Sequence, residues 1–98
     1  MDDKLEAGLE QLALLWTVDH GGLCLKVKLE NQRGFPDRMI ILPGGFVCFV
    51  EFKRPDKKGK PSPHQTKWIK HFNKLGQKAF FCDDFDQFVE QMREWGQV

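Results

Sequence analysis

Asp37, Glu51 and Lys53 are the side chains of this sequence whose types and spacing are best suited to joint chemistry. Carboxylate oxygens are hard donors for Mg²⁺ or Mn²⁺, and an ammonium beside them can hold a water or a developing negative charge. Taken alone, Glu51-Phe52-Lys53 is a strand-end ion pair that contributes little at a surface. Its setting changes that reading. Pro36-Asp37 opens one apolar run and Glu51-Phe52-Lys53 closes the next, with Pro43-Gly44-Gly45 between them.

Those runs must be strands for the acids to meet. Asp37 to Leu42 and Phe46 to Lys53 read as strands joined by a hairpin, whose glycines supply the positive φ of a short connection. An antiparallel hairpin sets the start of its first strand beside the end of its second, which brings Asp37 next to Glu51. Alternation then points Glu51 and Lys53 to one face and Phe52 to the other. Upstream, Leu23, Leu25, Val27 and Leu29 alternate with Cys24, Lys26 and Lys28, predicting a further strand with one wetter face and a three-stranded antiparallel meander.

Helices frame the meander. Leu5, Leu9, Leu12 and Trp16 recur at helical spacing from Asp3 to about His20, before Gly21 and Gly22. Arg54 to Ser62 carries prolines, a glycine and much positive charge, the composition of a mobile, exposed loop. Ser62 then Pro63 reads as an N-cap and first helical residue, followed by a face of Trp68, Ile69, Phe72 and Leu75 that stops at Gly76. Lys78 to Cys82 is a short strand, and Phe85, Phe88, Val89, Met92 and Trp95 mark a last helix from about Asp84 to Trp95. The order is αβββαβα, in which a strand–helix–strand crossover sets the last strand parallel to the one ending at Lys53.

Charge is distributed unevenly along the chain. The net charge is +1, which argues against a generally basic nucleic-acid binder. Residues 53–78, however, hold nine bases against Asp56 alone, while both ends are acidic. Such a segment could attract a polyanion, or be a solvated face balanced by the acidic ends. At 98 residues, with 41% hydrophobic and 30% charged side chains, the chain reads as one globular domain, residues 1–98. Met1-Asp2-Asp3-Lys4 leads into charge rather than an apolar leader, and no apolar run is long enough to span a bilayer. The odd set Cys24, Cys48 and Cys82 reads as buried reduced thiols, so the expected address is cytoplasmic, with no membrane partner. His20 and His71 lack ligand spacing with these cysteines, which argues against zinc.

Gly34-Phe35-Pro36-Asp37, Glu51-Phe52-Lys53 and Pro63-His64-Gln65 together resemble the signature of the PD-(D/E)xK nuclease superfamily, and the glutamine points to its VRR-NUC branch. The resemblance spans Glu6 to about Cys82. It implies an α/β, restriction-endonuclease-like αβββαβ core with a mixed sheet, here followed by a C-terminal helix. It also implies that Asp37, Glu51 and the backbone carbonyl of Phe52 ligate Mg²⁺ or Mn²⁺, while Lys53 positions or activates the attacking water. Gln65 precedes Trp68 and Ile69 by one helical turn and so shares or borders a buried face, where an amide needs partners; it reads as a core-edge glutamine bonded to backbone, or, as the resemblance favours, as a contact to the Lys53 side of the site. The family also places a glutamate on the first helix. Glu10 is the first choice, by its distance from Gly21, and Glu6 competes by helical angle; either could reach the metal through water.

The expected activity is a metal-dependent DNA endonuclease, with Arg54, Lys57, Lys58, Lys60, His64 and Lys67 on the DNA backbone. No nucleotide cofactor is expected. As little more than the minimal core, the protein would gain specificity by pairing two active sites. A homodimer cutting a four-way (Holliday) junction in a bacterial or phage-infected cell fits that logic. Flap or nicking activity on other branched DNA, or a catalytically silent DNA-binding module, are the competing readings.

Overall fold

The computed structural model describes residues 2–98, with side chains described from Leu5 onward, so the charged opening Met1-Asp2-Asp3-Lys4 lies outside the described side chains. Helix α1 (Asp2–Asp19) precedes three strands, β1 (Leu23–Lys26), β2 (Arg38–Leu42) and β3 (Phe46–Phe52). Helix α2 (Pro63–Lys74), strand β4 (Lys78–Cys82) and helix α3 (Phe85–Glu94) complete the chain. The four strands lie side by side in sequence order. β1, β2 and β3 pair antiparallel, and β4 joins β3 in parallel after the α2 crossover. This is the mixed sheet and helix order expected from the hydrophobic patterning.

The hairpin turns where predicted. Leu42 pairs with Phe46, and Gly44 (φ 87°) and Gly45 (φ 82°) take left-handed conformations between them. Both later helices have side-chain caps. Ser62 accepts from the Gln65 amide at 3.2 Å before Pro63, and Asp84 accepts from the Gln87 amide at 3.0 Å. Alternation divides β3: Phe46, Cys48, Val50 and Phe52 enter the main core with Leu9, Ala13, Phe88 and Met92. On the other face Phe49 stacks on Phe72 at 4.4 Å, and Phe35 packs edge-on against Phe49, Trp68 and Phe72. Burying each of these large side chains stabilises the fold by about 1.5–3 kcal/mol, relative to exposure.

Two faces differ from the expected pattern. Along α1, Leu5 (44% exposed) and Leu12 (48%) point outward, and the buried side carries Leu9, Ala13 and Thr17. The leucine stripe lies to one side of the buried face, which the smaller Ala13 and Thr17 complete because they allow close approach to the sheet. Thr17 can enter the core because its hydroxyl donates to the Ala13 carbonyl at 2.8 Å. In β1, Leu23 and Leu25 are exposed while Cys24 turns inward, and the strand ends at Lys26 rather than Leu29. The strand is on the sheet edge, and the helix beside it covers only the cysteine side. Leu75 of the predicted α2 face is also exposed, because it is already the C-cap. No helix among the described residues is long and apolar enough to cross a membrane.

Candidate active site

Strand pairing builds the centre of the site. Arg38 pairs with Val50, so Asp37 and Glu51 fall at the next position of the ladder, at the end where the hairpin strands separate. Glu51 is only 3% exposed, and the Asp37 carboxyl is near enough to act on it. Burial, and then the neighbouring Asp37 charge, push the Glu51 carboxyl up to about 8. One oxygen of each group, Asp37 Oδ2 and Glu51 Oε1, is buried without a hydrogen-bond partner. Two buried acceptors in this condition are poorly satisfied by protein alone, and their chemistry fits a divalent cation.

Helix α2 contributes the third wall through Gln65. Its side-chain oxygen accepts from Lys53 Nζ at 2.7 Å and from the Ser62 amide at 2.9 Å, while its nitrogen donates to Glu51 Oε2 at 3.2 Å. The glutamine therefore completes its helix's capping box and links the ammonium to the carboxylate. Lys53 Nζ lies 3.8 Å from Glu51 Oε2. The lysine backbone is fixed as well, since its N–H donates to the Cys82 carbonyl at 2.8 Å. Phe52, between the two site residues, is fully buried on the opposite face.

Helix α1 brings both candidate glutamates to this end of the sheet. One carboxylate oxygen from each of Glu6, Glu10 and Asp37 lies within 4.8 Å of the others. The two differ in their neighbours. Arg38 holds Glu10 Oε2 through Nε at 3.3 Å and Nη2 at 3.1 Å, whereas the Glu6 charge acts on Glu51. Arg38 was not singled out from sequence, although alternation along β2 signals it: the residue after Asp37 must point to the other face, toward α1.

The basic segment is partly neutralised within the fold. Arg54 pairs with Asp56 at 2.6 Å, Lys57 pairs with Asp83 at 2.5 Å, and the Lys58 amide donates to Asp56 at 3.1 Å. These contacts brace the loop that composition alone marked as mobile. Lys60, His64 and Lys67 are exposed, with His64 and Lys67 on the same helix as Gln65. Lys26 was also missed, though it borders the hollow containing Glu6 and Glu10. Cys48 and Cys82 are buried and Cys24 is half-buried.

No protein-family model matches the chain. A phage protein named as a candidate nuclease, p44 of Acyrthosiphon pisum secondary endosymbiont phage 1, is 36% identical over 66 residues, 67% of this chain and 69% of that protein. A solved structure described as a VRR_NUC domain superposes with a TM-score of 0.80 at 36% identity, covering 91% of this chain and 94% of that one. A second, described as a VRR_NUC domain protein, gives a TM-score of 0.68 at 18% identity over 90% and 84% of the chains, a likeness of fold alone.

Proposed function

Because this chain belongs to the VRR-NUC family of nucleases, we propose that it is a Mg²⁺- or Mn²⁺-dependent endonuclease that hydrolyses DNA phosphodiester bonds, acting as a homodimer on four-way junctions. The observation that carries the reading is the pair of buried, unsatisfied oxygens of Asp37 and Glu51 beside an ammonium oriented by Gln65. Asp37, Glu51 and the Phe52 carbonyl would hold the ion, with Glu10 or Glu6 serving through water. The ion would supply Lewis acidity toward the phosphate and lower the pKa of a water.

The protein's own groups account for the remaining requirements. Lys53 places a positive charge where negative charge accumulates as water attacks phosphorus, or positions that water. Gln65 restrains the lysine by accepting one of its hydrogen bonds, so less ordering is needed when substrate binds. Lys60, His64 and Lys67 would attract the polyanionic backbone toward the acidic centre, and Arg54, Lys57 and Lys58 would contribute through the braced loop. The outward-facing Leu5, Leu12 and Leu15 of α1 form an apolar stripe of the kind that a second copy would cover, supporting the homodimer.

The experiment is a cleavage panel of four-way junction, flap, nicked and linear duplex DNA with Mg²⁺ or Mn²⁺, run beside light scattering. Paired, symmetric cuts in the junction by a dimer are expected, with loss of cleavage in Lys53→Ala. Undiminished cleavage by that variant would overturn the mechanism. A monomer making the same paired cuts would overturn the dimer.

A further inference from the structure

We propose that the hollow between α2 and the loop before β2 is a nucleobase pocket, which takes an unpaired base from the strand leading away from the scissile phosphate. This rests on the nuclease reading and narrows its substrate class to branched DNA in which a base at the branch point, of a junction or a fork, leaves its pair and its stack.

Three depressions share bordering residues in series. Glu6, Glu10 and Lys26 border the first, and Lys26 passes to a second that also contains Lys28, Gln32 and Asp37. Gln32 then passes to the third, a hollow of about 460 Å³ bordered by Arg33, Lys67, Trp68 and His71. Charge changes sign along the route. The acids cluster at one end, two lysines follow, and the third hollow is lined by cations, imidazoles and amides with no carboxylate. A phosphodiester strand entering the acidic centre would find its charge compensated in this direction.

The far hollow has features suited to a base rather than another phosphate. Trp68 supplies an aromatic wall, and its indole N–H donates to the Arg33 carbonyl at 2.8 Å. Phe35, edge-on at 4.9 Å, and Phe72, at 5.7 Å, support the ring, so little ordering remains for a stacked ligand to impose. Asn31, held in a left-handed conformation (φ 60°), and Gln32 bring amide donors and acceptors that suit a base edge. Arg33 and Lys67 provide charge for the adjoining phosphates.

The pocket is also mechanically tied to the site. Gly34 presses against the start of α2 so closely that a Cβ there would lie 2.5 Å from the His64 carbonyl carbon and 2.6 Å from the Gln65 nitrogen. The loop forming one wall thus fixes the register of both Gln65 and, three residues on, Asp37. A base seated beside Trp68 would set which phosphate reaches the carboxylates.

The test uses the full chain in EDTA and three forked duplexes: one with an unpaired 2-aminopurine at the branch, one abasic there, and one fully paired. Wild-type protein should bind the first about tenfold more tightly than the abasic fork, with a change in 2-aminopurine fluorescence. His71→Ala and Trp68→Phe should both erode that ratio, and circular dichroism checks that each variant is folded. Equal affinity for the unpaired-base and abasic forks would overturn the pocket, as would folded variants that weaken all three DNAs alike or an oligoglutamate peptide that competes as well as the fork. Cleavage with Mn²⁺ separates the two readings. Equal cutting of base and abasic forks defeats the pocket but leaves a nuclease. Base-selective binding without cleavage of any DNA supports the pocket and defeats the nuclease assignment.

Discussion

Lys53 and Gln65 meet through a 2.7 Å hydrogen bond from the ammonium to the amide oxygen that also accepts from the Ser62 backbone. The residue that orients the lysine is therefore held by the start of its own helix. Gln65→Ala should lower kcat more than it raises KM and cost about 1 kcal/mol of stability through the lost capping box. Ser62→Ala should produce a similar stability loss while retaining more activity. Equal kinetic losses in the two variants would show that the cap, rather than contact with the lysine, governs catalysis; steady-state kinetics and urea denaturation provide the comparison.

Removing the Glu51 charge should have opposite effects with and without metal. Its carboxyl is buried beside Asp37 with one oxygen unpartnered, so Glu51→Gln should raise the Tm measured in EDTA. Wild-type protein should gain Tm with Mn²⁺, and the variant should gain far less. Thermal melts across a Mn²⁺ titration measure both, and an equal metal-induced rise in the two proteins would remove Glu51 from the ligand set.

Arg38 and Glu10 form a bridge whose side chains are only 15% and 17% exposed. Arg38→Met should destabilise the fold by about 1–2 kcal/mol, because Glu10 is left near other carboxylates without its cation. Glu10→Gln should offset part of that loss. A double-mutant cycle in urea yields the coupling, and strict additivity would mean that the bridge does not anchor α1 to β2.

Gly34→Ala should cost more than an ordinary loop substitution, by about 2–3 kcal/mol. Its φ of 75° disfavours a side chain, and the added Cβ would press on the His64 and Gln65 backbone. Activity should fall further than stability in denaturation and cleavage assays, since the displaced groups include Gln65.

The buried thiols predict alkaline sensitivity. An exposed cysteine ionises near pH 9, whereas burial pushes Cys48 up to about 12 and Cys82 up to about 11. Above pH 9 the unfolded chain releases protons that the folded chain retains. The stabilisation is complete below that pH and is lost progressively as pH rises toward 11 and 12. Urea midpoints should fall between pH 8.5 and 10.5, less steeply in Cys48→Ala; an identical slope would exclude that thiol as a source.

Local sequence determined the centre of the site, because the period of a strand and the geometry of a hairpin require no distant information. Pro36-Asp37, the glycines at 44 and 45, and Glu51-Phe52-Lys53 suffice to place two carboxylates and a lysine together. Ser62-Pro63 likewise starts the helix that carries Gln65. Tertiary structure decided what local pattern left degenerate. The leucine stripe of α1 pointed to a face offset from the buried one, and the inward face followed from packing Leu9, Ala13 and Thr17 against the sheet and from Arg38 reaching Glu10. The same applies to β1, where a one-sided edge strand buries Cys24 and exposes the leucines. The loop's charges were legible as a count, but their pairing with Asp56 and Asp83 was not. Lys57 and Asp83 meet only because the parallel β3–β4 pairing brings their segments together, a contact across 26 residues that no local periodicity encodes.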